Sequence, residues 1–282
     1  MRPHQFEGHG LLGCILWLLA GCGGTVSDAP VSSDPGGAPV AGTVMTGVYG
    51  ATLDNKEFVS VVTPELDWYA LYFERLTHTN PDLFSGTINL GVNGSATISS
   101  LHAFQIAKSA LPLTGNASIS AASPESYKLS VSGITSALGN SLSFTAAALG
   151  LSVYNPAKAA SYDDFQGVPA WQGSWYDGDT SNVSSLEFSA NGAASSVAAL
   201  NYCNLSNLAL RPMSEVNLFK VTLNIPMKGS GGICLRATDH LSGIDFSGVA
   251  FIYKSPLPGK NWRLDLIAVD GAGSGISFRG DR

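Results

Sequence analysis

Charge is scarce in this 282-residue chain: Asp, Glu, Lys and Arg make up 13% of it, with a formal net charge of −6. No basic stripe is present, which argues against nucleic acid and anionic lipid headgroups as partners. Histidine is sparse as well. His78, His102 and His240 lie far apart after the N-terminal region, none in H-x-x-x-H or H-E-x-x-H spacing, so a zincin site is not expected. No G-x-S-x-G elbow marks an α/β-hydrolase nucleophile, although a triad can assemble from distant segments. Long apolar runs are missing after Cys22: none approaches the roughly 20 residues of a spanning helix, and the expectation is a soluble body. No convincing amphipathic helix stands out, beyond a short turn within Leu101 to Leu111.

What the N-terminus does contain is specific. Arg2 gives a positive start, and Leu11 to Ala20 (LLGCILWLLA) is an apolar run of signal-peptide length, too short to span a bilayer. Leu19-Ala20-Gly21-Cys22 follows, and it resembles the lipobox of bacterial lipoproteins. The resemblance implies cleavage after residue 21 and lipid on the Cys22 thiol. Removing residues 1–21 takes one Arg and one Glu, so the charge stays at −6. Residues 22–44 are mostly Gly, Pro, Ser, Ala and Val, too poor in large apolar side chains to offset the entropy of ordering, and read as a flexible tether. Gly23 stands after the cysteine where aspartate would signal inner-membrane retention. By resemblance to enterobacterial sorting this places the protein in the outer membrane, facing the periplasm or the cell surface.

Of four cysteines, Cys14 leaves with the signal and Cys22 takes lipid, so Cys203 and Cys234 remain as an even pair in an oxidising compartment. A disulfide between them is expected, contributing roughly 3 to 4 kcal/mol by loop closure.

The remaining roughly 240 residues suit one large or two small all-β domains. Glycine is abundant, at 32 residues, as tight turns require. Tyr127, Leu129 and Val131 alternate with polar residues. So do Phe219, Val221, Leu223 and Ile225, and so do Trp262, Leu264 and Leu266, which alternate with Arg263 and Asp265. Period-two alternation predicts one packed and one wet face. Asn93-Gly94 and Asn191-Gly192 predict tight hairpin turns. Gly271 to Gly275 lacks the Lys-Ser/Thr of a phosphate loop and predicts a hairpin or bulge.

Two halves open alike, with Gly47-Val48-Tyr49-Gly50 and with Gly173-Ser174-Trp175-Tyr176. Tyr154 to Ala170 carries two prolines between them. The expected organisation is all-β: two small antiparallel sandwich- or barrel-like units over 45–153 and 171–282, joined by an exposed linker over 154–170.

These features resemble a group of uncharacterised, two-unit, β-rich outer-membrane lipoproteins of Burkholderia-type proteobacteria. The shared motifs are Gly47-Val48-Tyr49-Gly50 (with Ala51 next, in place of glycine), Tyr69-Ala70-Leu71-Tyr72, Tyr154-Asn155-Pro156-Ala157 and Gly173-Ser174-Trp175. They continue with Cys203, Arg211-Pro212, Asn217 to Leu223, Cys234 and Gly248-Val249-Ala250. The resemblance implies architecture and carries no activity.

Candidate sites are few. Asp177 and Asp179 with Asn182 nearby have the oxygen ligands of a calcium loop but lack its glutamate and second glycine, and a polar turn is the better reading. Asp163-Asp164 reads as a solvated linker feature. Trp68, Tyr69, Tyr72 and Phe73 crowd one strand with apolar groups on both faces, as in a central strand, or a core on one side and a ligand cleft on the other. No motif calls for a cofactor or a metal, and none names catalytic residues. Three readings follow. The first is a non-catalytic envelope lipoprotein that binds a partner protein or ligand. The second is a lipocalin-like carrier of apolar ligands, since each G-x-W or G-x-Y start resembles the opening strand of such barrels. The third is a hydrolase with a dispersed site.

Overall fold

The computed structural model describes residues 46–53, 56–74, 82–90, 96–104, 111–112, 117–121, 127–135, 141–150, 152–165, 170–176, 181–197, 207–225, 243–271 and 274–282. These residues form two antiparallel sheets, each drawn from one half of the chain. The first contains β1 (Gly47–Leu53), β2 (Lys56–Val62), β3 (Asp67–Glu74), β4 (Asp82–Leu90), β5 (Ala96–Phe104), β6 (Leu111–Pro112), β7 (Ala117–Ala121), β8 (Tyr127–Thr135) and β9 (Ser141–Ala148). Sequence neighbours pair from β1 through β6 and again from β7 through β9, and β9 returns to β1 through Tyr49↔Ala148. The ring is completed between β5 and β7 at Thr97↔Ser118. Such closure removes the exposed strand edges that invite aggregation. The turn of helix considered within 101–111 is not there over 101–104, because β5 runs unbroken to Phe104; residues 105–110 are outside the described residues.

The second sheet contains β10 (Trp171–Tyr176), β11 (Ser181–Phe188), β12 (Ala194–Val197), β13 (Ala209–Pro212), β14 (Phe219–Asn224), β15 (Asp245–Lys254), β16 (Trp262–Val269) and β17 (Gly275–Asp281). β17 pairs back to β10 from Gln172↔Asp281 to Tyr176↔Ser277. On the far side, the bridge Ala193↔Ala209 and the bond from Ala194 N–H to Leu208 C=O bring β12 beside β13. Both sheets thus curl into barrel-like units.

Side-chain alternation sorts the apolar residues into three clusters. Phe58, Trp68, Ala70, Phe84 and Ile88 fill the first barrel. Trp175, Phe188, Phe219, Leu264 and Phe278 help fill the second. The third cluster lies between the barrels, where Val59, Val61, Leu71 and Phe73 of the first meet Val249, Phe251, Tyr253 and Ile267 of the second. β3 therefore has core on both faces: Trp68 and Ala70 point into its barrel, Leu71 and Phe73 out of it towards the neighbour.

A hairpin turn is present at Asn191-Gly192, but not as a primed turn with Asn-Gly at its centre, because Gly192 has a positive φ and Asn191 does not. Gly192 has φ +78°, in the turn after β11 closed by Gly192 N–H to Ser189 C=O. β16 and β17 pair antiparallel as far as Val269↔Gly275, with Asp270 N–H on Ser274 C=O. Asn93-Gly94 lies outside the described residues.

The segment expected to be an exposed linker is only partly exposed. Tyr154 and Phe165 are buried, and Phe165 lies in the second barrel's core, 5.1 Å from Phe188 and 4.9 Å from Phe219 between ring centres. Ser161 caps a 3₁₀ turn, Tyr162–Asp164, with its side chain accepting from Asp163 N–H while Asp164 accepts from Ser161 N–H. That reciprocal cap turns the chain so that Phe165 enters the barrel. Asp164, expected to be a solvated feature, is a capping residue.

Candidate functional site

Two polar regions stand out, one buried and one open. The buried one sits on the face of the second barrel turned towards the first. On β16 and β17 the odd-numbered residues point there, which places Arg263, Asp265, Arg279 and Asp281 side by side. Arg279 forks onto Asp265, with Nε to Oδ1 at 2.7 Å and Nη2 to Oδ2 at 2.8 Å. Arg263 forks onto Asp281, at 2.9 and 3.2 Å. The Tyr253 hydroxyl donates to Asp265 Oδ2 at 2.8 Å, and the Ser255 hydroxyl to Asp281 Oδ1 at 2.6 Å. Glu57 of β2 reaches across from the first barrel, with Oε1 3.1 Å from Arg279 Nη1 and 3.6 Å from Arg263 Nη1. Neither Nη1 forms a well-directed hydrogen bond, so Glu57 acts on both as a charge. The Arg279 guanidinium also stacks on Phe73 at 3.8 Å.

Sequence alternation assigned Arg263 and Asp265 to a wet face, and the structure corrects this. Both are buried, and the residue that is exposed is the apolar Trp262. Charged residues at alternate strand positions look solvated in sequence when their partners lie on a different strand.

The electrostatics argue for a lock rather than acid–base chemistry. Burial alone would lower the Arg279 pKa; the Asp265 carboxylate and Tyr253 outweigh it and hold the guanidinium well above its ordinary value. Burial pushes the Tyr253 phenol well above its ordinary value. Groups held in those states do not exchange protons near neutral pH.

The open region is a cleft of about 270 Å³ where the segment following β9 crosses the second barrel. That lies just under the roughly 300 Å³ at which pockets for drug-sized ligands begin. Its lining includes Ser152, Asn155, Lys158, Asp163, Asn217 and Trp262. Several of these are held in place from below. The Tyr154 hydroxyl donates to Asn217 C=O at 2.9 Å, and Asn217 Nδ2 donates to Asn155 C=O at 3.1 Å. Lys158 pairs with Asp164. Arg282, at the cleft's edge, stacks on Trp171 at 4.3 Å and donates to Asp164 C=O at 2.9 Å. Two features are not committed within the protein. Trp262 is 47% exposed, and the Asn217 side-chain oxygen accepts no hydrogen bond although the residue is 7% exposed.

The other sequence candidates are not brought together here. Cys22, Cys203 and Cys234 all lie outside the described residues, as do His78, His240, Asp177 and Asp179. Asn182 lies on β11 and His102 on β5. Among the described residues no group of three or more His, Cys, Asp or Glu is placed to hold a metal, and no helix is long and apolar enough to cross a membrane. The cleft is not legible in sequence because its residues come from five separate stretches; Tyr154, Asn155, Asp163, Asn217 and Trp262 each stand out in a motif or strand, and nothing in their spacing brings them together.

No family model matches the chain, and no curated protein does. A crystal structure of a protein of unknown function from the DUF3598 family of Nostoc punctiforme aligns at 10% identity, over 86% of this chain and 97% of its own, with a TM-score of 0.22. A likeness at that score supports no statement about fold or function.

Proposed function

We propose that this protein is an outer-membrane lipoprotein, anchored through acyl chains on Cys22 and held off the bilayer by residues 23–44, whose two barrels form a non-catalytic binding module. The Leu19-Ala20-Gly21-Cys22 tetrad supports the anchor, and two or more acyl chains hold a protein stably at a membrane. The observation that carries the non-catalytic part is the pairing of the buried charges with one another: Arg279 with Asp265 and Arg263 with Asp281, bridged by Glu57. The open cleft beside Trp262 is the place for the ligand. Pairing of Cys203 with Cys234 belongs to the same reading, as a brace and not a reactive centre. Labelling cells with a palmitate analogue tests the anchor. The parent protein should take the label and Cys22→Ser should not. In the same preparation, Cys203 and Cys234 should resist thiol alkylation until reduced. Equal labelling of parent and variant would sink the anchor, and alkylation without reductant would sink the brace.

A carrier of ligands with an apolar body is the second reading, and one observation favours it. The buried indole N–H groups of Trp68 in the first barrel and Trp175 in the second have no partner, and an unsatisfied buried donor costs about 1–3 kcal/mol unless something accepts from it. A largely apolar ligand carrying one acceptor would satisfy such a donor. Organic extraction of the purified protein, followed by mass spectrometry, should release an apolar molecule on this reading. A clean extract would remove it.

A further inference from the structure

We propose that the cleft beside Trp262 binds a neutral sugar ring; this rests on the reading of the protein as a binding module. Three observations converge. Trp262 leaves nearly half of its surface, 47%, open to solvent at the mouth of a cleft of about 270 Å³. An exposed indole presents a flat apolar face, and the axial C–H face of a pyranose is among the few small polar shapes that match it. Asn217 supplies the second observation. It is fixed by Nδ2 to Asn155 C=O and by its own carbonyl to the Tyr154 hydroxyl, yet its side-chain oxygen remains an open acceptor within a nearly buried residue. A sugar hydroxyl satisfies such an acceptor, whereas a hydrocarbon would leave it stranded. Charge is the third. Lys158 is neutralised by Asp164, and Arg282 is engaged by the Trp171 ring and backbone carbonyls. The cleft's cations are therefore occupied, which disfavours an anionic ligand, while Ser152, Asn155 and Asp163 offer hydroxyl, amide and carboxylate groups at the rim. One face for stacking, with hydroxyl, amide and carboxylate groups around it and both cations already engaged, describes a site for a neutral saccharide.

The full chain, purified in a polyoxyethylene detergent without sugar headgroups, is titrated with cellobiose, maltose and N,N′-diacetylchitobiose. Saturation-transfer NMR reports contact and calorimetry reports affinity. At least one disaccharide should show transfer to its ring protons. Trp262→Ala should weaken it about tenfold, the loss of one aromatic contact, and Trp262→Phe should retain most of the affinity. Because about half of Trp262 is exposed, Trp262→Phe should leave the melting temperature close to the parent's, and circular dichroism should show both variants folded. No transfer for all three sugars, or affinity unchanged in Trp262→Ala, would overturn the proposal. A photo-cross-linking residue at position 262 separates this failure from that of the broader reading. Cross-links to an envelope protein without sugar binding would remove the saccharide alone, and neither signal would remove both.

Discussion

At the scale of single residues, the Arg–Asp cluster decides more than any other feature. Buried ion pairs contribute little net stability when intact, because desolvation offsets their attraction, but removing one partner strands the other. Asp265 is fully buried, and it holds both Arg279 and Tyr253. Asp265→Ala should therefore cost about 3–5 kcal/mol in urea denaturation. The double variant Asp265→Leu, Arg279→Met should cost less than that single change, since the Arg279 guanidinium goes with its partner and the partly exposed Glu57 still faces Arg263. A double variant at least as unstable as the single would show that packing, not charge, dominates the site. None of this was readable in sequence. Arg263 and Asp265 alternate with Leu264 and Leu266 as a solvated face would, and their partners come from β17 and, for Glu57, from the other barrel. Trp68 and Phe73 were legible, because a strand apolar on both faces must be covered on both.

At the scale of elements, the glycine-plus-aromatic openings marked the first strand of each barrel, but the sequence could not supply the reason for their glycines. Gly173 sits where β10 closes onto β17, opposite Gly280. A Cβ there would strike the Arg279 carbonyl oxygen and the Gly280 Cα of the facing strand, which are backbone atoms that cannot rotate away. Gly47, in the matching position of the first half, meets nothing closer than Pro156 Cβ at 3.8 Å. The two motifs thus look alike for different reasons. Gly173→Ala should destabilise the protein by about 1–3 kcal/mol, the usual range for overpacking. Gly150→Ala, at an exposed position with only Ser152 Oγ at 4.0 Å, should leave the denaturant midpoint within error. Equal midpoints for both variants would mean that β10 and β17 do not close as tightly as their register requires. The segment between the barrels was the element least well read. Its prolines and polar residues marked a boundary, yet Tyr154 and Phe165 are buried, and the Ser161 cap that steers Phe165 inward uses side chains that are equally common in loose loops.

At the scale of the whole molecule, the two halves were legible as separate sheets, and what joins them was not. The joining surface is apolar and large-featured: Leu71, Phe73 and Val61 meet Phe251, Tyr253 and Ile267, with Leu218 and Tyr154 beside them. Each such side chain is worth roughly 1.5–3 kcal/mol when moved from water into a core. A half standing alone would expose this whole face, and a contiguous apolar patch of that kind drives association. Glu57 adds a link of another sort, since its carboxylate on the first barrel lies within ion-pair distance of two guanidinium groups of the second. The barrels are therefore expected to unfold together. Calorimetry on the full chain should give a single transition whose van't Hoff and calorimetric enthalpies agree. Glu57→Gln, a change confined to the first barrel, should lower that one transition without splitting it, because the carboxylate it removes faces two Nη1 groups of the second barrel that have no hydrogen bond. Two transitions in the parent protein, only one of them moved by Glu57→Gln, would mean that the shared face is too weak to couple the barrels.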